Sequence, residues 1–281
     1  THPIHFLAAR FLVAGVLLTP WIILRWIKAQ RNPGREMTQN GPDGDSLRTT
    51  LFKGSVIGLF LFVGFVLQVT GLEYTTASRS GFFTSLLTLI APIIAFIFRT
   101  SRTHWSTWLG LLPAITGIYL LADPNTGGLN RGDLLTIGCA AAFASQMVVL
   151  EVLARNVRDM WTLTWAQIWI LGLGALAWSL IEGIPFSMDL TGLAAAGYTA
   201  VFGGIIAIWL QTRFQPEVPA GHAALIYTLE PVFASILAWI LLDETWTLRG
   251  IIGASLILGA MVFASIGLIR LPRITAVPPA S

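Results

Sequence analysis

An apolar segment interrupted by proline occurs twice in this chain, and it restricts the folds that the chain can adopt. The first copy covers residues 76–98 and carries Pro92, and the second covers residues 218–241 and carries Pro231. Each copy is long enough to cross a bilayer, which takes about 20 residues in a helix. Interrupted membrane helices at matching positions of an internal repeat are typical of secondary transporters, whose substrate sites lie near the interruptions.

The composition places the whole chain in a membrane. Hydrophobic residues make up 55% of it and charged residues 11%, whereas an ordinary soluble domain is about 25% charged. The apolar runs are continuous rather than alternating, which favours helices over β-strands. We therefore predict an all-α integral membrane protein. Its nine predicted spans are residues 4–27, 52–72, 78–98, 105–122, 133–154, 160–182, 190–212, 219–241 and 248–270.

The basic residues predict the orientation of these spans. If residue 1 lies outside the cytoplasm and the spans alternate, 13 of the 17 Lys and Arg residues fall on the cytoplasmic side and 3 on the outer side. Cytoplasmic loops carry the excess of Lys and Arg, so we predict a cytoplasmic C-terminus in a multi-pass protein of the cell inner membrane. The longest loop, residues 28–51, is rich in Gly, Pro, Asn and Asp, which favours a flexible linker.

The predicted spans divide into two unequal halves. Residues 133–270 hold five spans and residues 4–122 hold four, three of which match the last three of the second half in their pattern. We therefore expect a ten-helix architecture of two inverted five-helix repeats, with the first helix absent from this sequence. The first repeat would cover residues 1–127, the second residues 128–272, and a cytoplasmic tail residues 273–281.

Short motifs in both halves resemble those of one family. They are the run 72–82 with its later proline, the opening 132–135 (Gly-Asp-Leu-Leu), and the run 229–234 followed by Leu242-Asp243-Glu244 and Gly250. With these motifs, residues 4–270 resemble bacterial EamA transporters of the drug/metabolite transporter superfamily. The resemblance implies ten helices in two inverted repeats and export of small metabolites such as amino acids. It also implies that the absent first helix would help to line the central cavity.

Ionisable residues within spans are candidates for function, because placing them in a bilayer is costly. Glu230 lies near the middle of its span and shares a helix face with Tyr227. It would bind a substrate ammonium or carry a coupling proton, or it would bridge backbone groups freed by Pro231. Arg10 would bind a substrate carboxylate or extend its guanidinium to the outer interface. Arg79 starts the first broken segment on the outer side, where we expect it to lie at the interface.

Uncharged polar and aromatic side chains form a second set of candidates. Gln146 and Gln167 lie deep in adjacent spans, and Thr88 belongs to a polar stripe on the first broken segment. Trp165 would flank a cation or a ring. The alternative for the polar side chains is that they hold helices together, and the alternative for Trp165 is that it faces lipid or packs against a neighbouring helix. The predicted substrate-binding or coupling residues are Glu230, Tyr227, Gln146, Gln167, Arg10, Trp165 and Thr88, with Pro92 and Pro231 as hinges.

Two pairs of glycines predict close helix contacts. Gly54 and Gly58 share one helix face, as do Gly250 and Gly253. Small residues at such spacing let the backbones of neighbouring membrane helices approach each other.

The motifs of several other function classes are absent from the sequence. There is no G-x-x-x-x-G-K-[ST] loop for ATP, and neither H-E-x-x-H nor G-x-S-x-G occurs. A single cysteine, Cys139, excludes an intrachain disulfide. We predict no enzyme activity, metal, cofactor or nucleic-acid partner. The predicted partners are a small-molecule substrate, the lipid bilayer and, as Glu230 permits, a coupling proton; monomer and homodimer both stay open.

The sequence thus predicts a secondary transporter that works by alternating access around a central cavity. Two alternatives stay open. A non-transporting receptor or scaffold would not need an acid at mid-depth, and an intramembrane enzyme would need a converging set of acid, base or metal ligands.

Overall fold

The computed structural model describes residues 2–31, 45–75, 77–100, 105–122, 129–183, 188–230, 232–233, 236, 240 and 248–270. The regular structure in these residues is helical. The helices are α1 (Pro3–Arg31), α2 (Leu47–Leu72), α3 (Ala77–Ser85), α4 (Leu87–Ile97), α5 (Trp105–Ala122), α6 (Arg131–Leu153), α7 (Met160–Ile181), α8 (Leu190–Thr199), α9 (Ala207–Phe214), α10 (Ala220–Tyr227) and α11 (Leu248–Arg270).

Within the described part of the chain, six helical segments are long and apolar enough to cross a membrane. Each overlaps one predicted span, so the prediction of an all-α membrane protein is confirmed. The second broken segment is described only in part, and Pro231 lies outside the described residues. The six segments are Pro3–Ala29, Leu47–Leu72, Arg79–Ile97, Arg131–Leu153, Met160–Ile181 and Leu190–Glu217.

The first proline-broken segment divides into α3 and α4 at Leu86. The division lies on the N-terminal side of Pro92, because the proline ring crowds the preceding turn and supplies no N–H to it. Thr88 lies in that turn, and its Oγ1 donates a hydrogen bond to the carbonyl of Ser85 at 2.9 Å. A hydroxyl therefore satisfies a backbone carbonyl next to the interruption, as the absence of water in a bilayer requires.

In the second broken segment a threonine hydroxyl also donates to a backbone carbonyl at the interruption. Helix α10 ends at Tyr227, and Thr228 Oγ1 donates to the carbonyl of Leu225 at 2.6 Å. The two interruptions thus share a local chemistry, in which a threonine lies three or four residues before a proline.

A third interruption lies within the predicted span 190–212. A π-helical turn, Ala200–Ile206, connects α8 to α9 and contains Gly203 and Gly204. Single π turns of this kind are frequent at functional sites. Nothing in the sequence pattern indicated this turn.

Glycines bring pairs of helices into backbone contact. A Cβ on Gly54 would lie 2.7 Å from Ala166 Cβ, and a Cβ on Gly58 would lie 2.9 Å from the α7 backbone. In the α5–α11 contact, a Cβ on Gly117 would lie 2.5 Å from the carbonyl oxygen of Gly253. The predicted close approach at Gly54, Gly58 and Gly253 is confirmed.

Helix α6 has the central position among the described helices. It packs against α2 on one side and against α3, α4 and α10 of the two broken segments on another. The largest apolar cluster is formed mainly by α1, α2 and α7, with Phe11 and Leu171 fully buried in it. This cluster holds α1, α2 and α7 together. Helix α6 packs on α2 and also on the broken segments.

Candidate functional site

A buried ion pair joins α3 to the first turn of α6. The Arg79 and Asp133 side chains are 6% and 0% exposed. Arg79 Nε donates to Asp133 Oδ1 at 3.1 Å, and its Nη2 donates to Oδ2 in a second, shorter bond. Thr75 Oγ1 also donates to Oδ1, at 2.8 Å. Two-pronged pairing of this kind is strong and directional. Arg79 is therefore buried inside the protein against an acid 54 residues away in the chain, and its depth in the membrane stays a prediction.

The local sequence of α6 fixes Asp133 in position to receive Arg79. Asn130 is the N-cap residue: its Oδ1 accepts from the Asp133 backbone N–H at 2.9 Å. In return Asp133 Oδ2 accepts from the Asn130 backbone N–H at 3.0 Å, which completes a capping box. A Cβ on Gly132 would lie 2.5 Å from the carbonyl oxygen of Gly71. Glycine at 132 thus lets the end of α2 approach the ion pair.

A second buried acid lies at the opposite end of α6. Glu151 Oε2 accepts a hydrogen bond from the backbone N–H of Ala220, the first residue of α10, at 2.9 Å. Its Oε1 accepts from Arg155 at 2.9 Å. Helix α6 therefore carries one acid at each end, and each acid binds the start of a different broken segment. Sequence reasoning did not identify Asp133 or Glu151 as functional residues, although the Asn-Arg-Gly-Asp capping pattern at 130–133 was a visible signal.

The two predicted glutamines lie in a buried polar seam between α6, α7 and α9. Gln146 is 1% exposed, and its Oε1 accepts from Gln211 Nε2 at 3.1 Å. Gln167 Nε2 donates to Thr212 Oγ1 at 3.0 Å. Neighbouring residues on α9 thus connect α6 to α7. Gln146 Nε2 and Gln167 Oε1 have no hydrogen-bond partner among the described residues. Buried amide atoms without partners are uncommon, and here they offer one donor and one acceptor.

Arg10 lies in α1 against aromatic rings. Its Cζ is 4.4 Å from the ring centroid of Phe11 and 5.4 Å from that of Phe65 on α2. The Phe65 ring lies 5.2 Å from the ring of Phe143 on α6. The aromatic contacts therefore run from α1 across α2 to α6.

Tyr227 is the last residue of α10, and Glu230 lies three residues after it, beyond the interruption of the second broken segment. Both are exposed on the surface of the chain, Tyr227 by 36%. No hydrogen bond or ion pair connects Glu230 with Gln146, Gln167 or Arg10 in the part of the chain that the structure describes. The predicted residues therefore do not form a single cluster through direct contacts.

Trp165 lies in the contact between α1 and α7. Its indole N–H donates to Thr19 Oγ1 at 2.9 Å, and the N–H of Trp169 donates to the same oxygen at 3.2 Å. Its ring also packs edge-on against Trp26, at 5.7 Å between centroids. The contacts of Trp165, like those of Thr88, are with neighbouring helices or its own helix, and a role in substrate binding stays a prediction.

An open, apolar cavity of about 310 Å³ lies between α2 and α6. Small-molecule sites have volumes of roughly this size or larger. Its lining residues are Leu59, Phe60, Val63, Ala141, Ala142 and Ser145.

The described residues contain no group of three or more His, Cys, Asp or Glu side chains that would hold a metal ion. Cys139 is buried and free.

Comparison with known proteins relates this arrangement to membrane transporters. The sequence profile of the EamA-like transporter family matches residues 1–122 and 130–266. A protein of Archaeoglobus fulgidus named "uncharacterized transporter" is 31% identical over 213 residues, which cover 76% of this chain and 68% of that protein. The "uncharacterized inner membrane transporter YedA" of Escherichia coli K12 is 24% identical over an alignment of 294 positions, which covers 99% of this chain and 86% of that protein. A crystal structure with 16% sequence identity has the same fold, with a TM-score of 0.73 over 95% of this chain and 88% of that chain.

Proposed function

Because the chain belongs to the EamA-like transporter family, we propose that it is a secondary-active exporter of small metabolites such as amino acids. Transport proceeds by alternating access across the inner membrane, with the C-terminus in the cytoplasm. The observation that carries this proposal is the position of the two buried acids of α6. Asp133 at the outer end binds the first broken segment, and Glu151 at the inner end binds the second.

The proposed architecture has ten helices in two inverted five-helix repeats, residues 1–127 and 128–272. The family profile supports it by matching in two segments, 1–122 and 130–266. The shared chemistry of the two interruptions also supports it, since Thr88 and Thr228 each donate to a carbonyl three residues earlier. An odd number of helices in each repeat inverts the second repeat relative to the first.

Alternating access follows from the two ends of α6. Opening toward the outside separates α3 from α6, so that Arg79 and Asp133 part and water hydrates both charges. Opening toward the cytoplasm releases the Ala220 N–H from Glu151. A buried charge without its partner is strongly unfavourable, and therefore each closed side is stabilised until water enters it. In the proposed cycle one side is open while the other stays closed.

The substrate passes the polar seam and the interrupted helices. The unpaired Nε2 of Gln146 and Oε1 of Gln167 offer a donor and an acceptor to a polar substrate. Glu230, at the middle of the predicted span, carries the coupling proton.

Counterflow in proteoliposomes tests the transport function without any assumption about the coupling ion. The purified protein is reconstituted, loaded with unlabelled amino acids or other small metabolites, and diluted into the labelled compound. We expect saturable exchange of one chemical class. If folded protein exchanges no member of a broad panel, transport of those classes is refuted and the receptor or scaffold alternative is favoured.

Crosslinking tests alternating access at the outer end of α6. Thr75 and Asn130 both contact Asp133 from either side of the contact, and each is replaced by cysteine in a Cys139→Ala background. Counterflow of each variant is first measured without reagent, because both substitutions remove a hydrogen bond to Asp133. A short bifunctional thiol reagent is expected to abolish the counterflow that the double-cysteine protein has before treatment, and to leave that of the two single-cysteine proteins at its untreated level. A reducible reagent allows flux to be restored. Undiminished flux in the crosslinked protein would falsify this gating scheme.

Glu230→Gln tests proton coupling. The substitution removes the titratable group and keeps its size, so we expect the pH dependence of uphill transport to become flat while the protein stays folded. Glu217→Gln is the matched control, because Glu217 is an exposed acid paired with Arg213 at the end of the preceding span. An unchanged pH profile in Glu230→Gln contradicts the coupling role.

A further inference from the structure

Arg10 is a cation within a membrane-spanning helix, and it has no counter-ion among the described residues. It lies seven residues after the start of α1, which is about 10 Å along the helix axis. Its Nε is buried without a hydrogen-bond partner, and no described carboxylate lies within 4.0 Å of its guanidinium. A charge at this depth is costly, and such charges are kept where they act on a substrate or ion.

Helix α1 packs mainly against α7 and α8, and also contacts α2. The acids at the ends of these helices have other partners: Glu73, after α2, lies 3.6 Å from His2, Glu182, after α7, accepts from Trp178, and Asp189, before α8, accepts from the Gly192 N–H. Arg10 therefore differs from Arg79, since no carboxylate among the described residues pairs with it.

The surroundings of Arg10 suit a planar anionic group. Phe11 and Phe65 lie against the guanidinium, with centroids 4.4 Å and 5.4 Å from Cζ. The N–H groups at its edge form a rigid fork that matches the two oxygens of a carboxylate. Phe143 continues the aromatic wall from Phe65 to α6, the helix that carries Asp133 and Glu151. Arg10 is thus connected through the rings of Phe65 and Phe143 to α6, from which the broken segments separate in the proposed cycle.

We propose that Arg10, held between Phe11 and Phe65, binds the carboxylate group of the transported substrate. This inference rests on the proposed transport function and adds a chemical class to it, namely small carboxylic acids and amino acids. A phosphate offers the same oxygens, and a lipid headgroup at the outer surface is the other source of such a group. The experiment separates these two sources.

Thermal unfolding in nanodiscs of zwitterionic lipid measures binding independently of transport. A ligand that binds only the folded state raises the melting temperature. The probes are matched pairs that differ only in the carboxylate: 4-methylpentanoate with 4-methylpentanamide, and L-leucine with L-leucinamide. We expect each acid to raise the melting temperature by about 3 °C when its concentration is tenfold above Kd, and each amide to have no effect.

Substitutions of Arg10 assign the effect to this residue. Arg10→Gln is expected to abolish the response to the acids, whereas Arg10→Lys retains a weaker response because it keeps the charge without the fork. Arg249→Gln is the matched control, since Arg249 also lies over an aromatic ring, 5.4 Å from the centroid of Tyr119. In counterflow, exchange of a carboxylate substrate should fall about tenfold or more in Arg10→Gln, as expected for loss of a charge-assisted hydrogen bond.

Three results would overturn the proposal. The first is an equal response to acid and amide, and the second is a response to the acid that persists in Arg10→Gln. The third is an effect of Arg10→Gln that occurs only in nanodiscs containing phosphatidylglycerol, which assigns the arginine to a lipid headgroup. Failure of the transport function has a different signature: acid-dependent stabilisation persists while counterflow of every probe is absent.

Discussion

Replacing Gly117 by alanine is expected to weaken the contact between α5 and α11. A Cβ at this position would lie 2.5 Å from the carbonyl oxygen of Gly253, 2.8 Å from Ile257 Cγ1 and 3.1 Å from the Ile257 backbone nitrogen. Two of these three atoms belong to the backbone of α11 and move only if the helix moves. Ile257 is fully buried, so a rotation of its side chain would not relieve the clash.

The expected size of the effect follows from these distances. Ordinary van der Waals contact begins at 3.4 Å, so the two backbones must separate by about 0.9 Å. A gap of that size forfeits roughly a quarter to a half of the dispersion energy at each separated contact, and overpacking of this kind costs about 1–3 kcal/mol. Alanine also gains about 1 kcal/mol over glycine in a helix. Gly259→Ala in α11 has that gain without the clash, because an added Cβ there meets nothing within 4 Å.

The measurement compares the free energies of unfolding of the two variants. Reversible unfolding in mixed micelles containing sodium dodecyl sulfate, followed by tryptophan fluorescence, provides both values. Since the helix-propensity gain is common to both, Gly117→Ala should be less stable than Gly259→Ala by about 1–3 kcal/mol. Equal stabilities, or a more stable Gly117→Ala, would refute the close approach of the α5 backbone to Gly253.

Two further predictions concern the polar groups of α6. Asp133→Asn is expected to lower the melting temperature more than Arg213→Gln does, because Asp133 is fully buried whereas the Arg213 side chain is 43% exposed. Adding Arg79→Met to Asp133→Asn should restore part of the lost stability. A strictly additive loss in the double variant would contradict a coupled pair. Gln146→Leu removes an unpaired buried donor and also the acceptor of the part-buried Gln211, so we expect the protein to keep its fold. We also expect the KM for counterflow to rise, and an unchanged KM would place Gln146 outside the substrate path.

The properties that could be predicted from sequence are those set within one segment. Membrane class and span positions follow from local hydropathy and length, and the structure reproduces them in α1, α2 and α6. The interruption before Pro92 follows from a missing N–H and a crowded preceding turn. The contacts at Gly54 and Gly58 follow from their spacing along one helix face.

The candidate site could be predicted only as a set of residue types. Gln146 and Gln167 were found because polar side chains stand out in apolar spans, yet their partners on α9 are 65 and 45 residues away in the chain. Glu151 was missed because an acid near a span end is expected at an interface. The structure places it against the first N–H of α10.

The amino-acid sequence by itself determined that this chain is a helical membrane protein and where its helices are weakened, because hydropathy and the loss of a backbone donor act within a single segment. The tertiary structure decided which charges are neutralised. Arg79 and Arg10 both lie near the N-terminal ends of their helices. Of the two, only Arg79 pairs with an acid among the described residues, since the packing of α3 on α6 brings Asp133 to it. Helix packing determines which distant acid pairs with an arginine, and the local sequence pattern around the arginine does not contain that information.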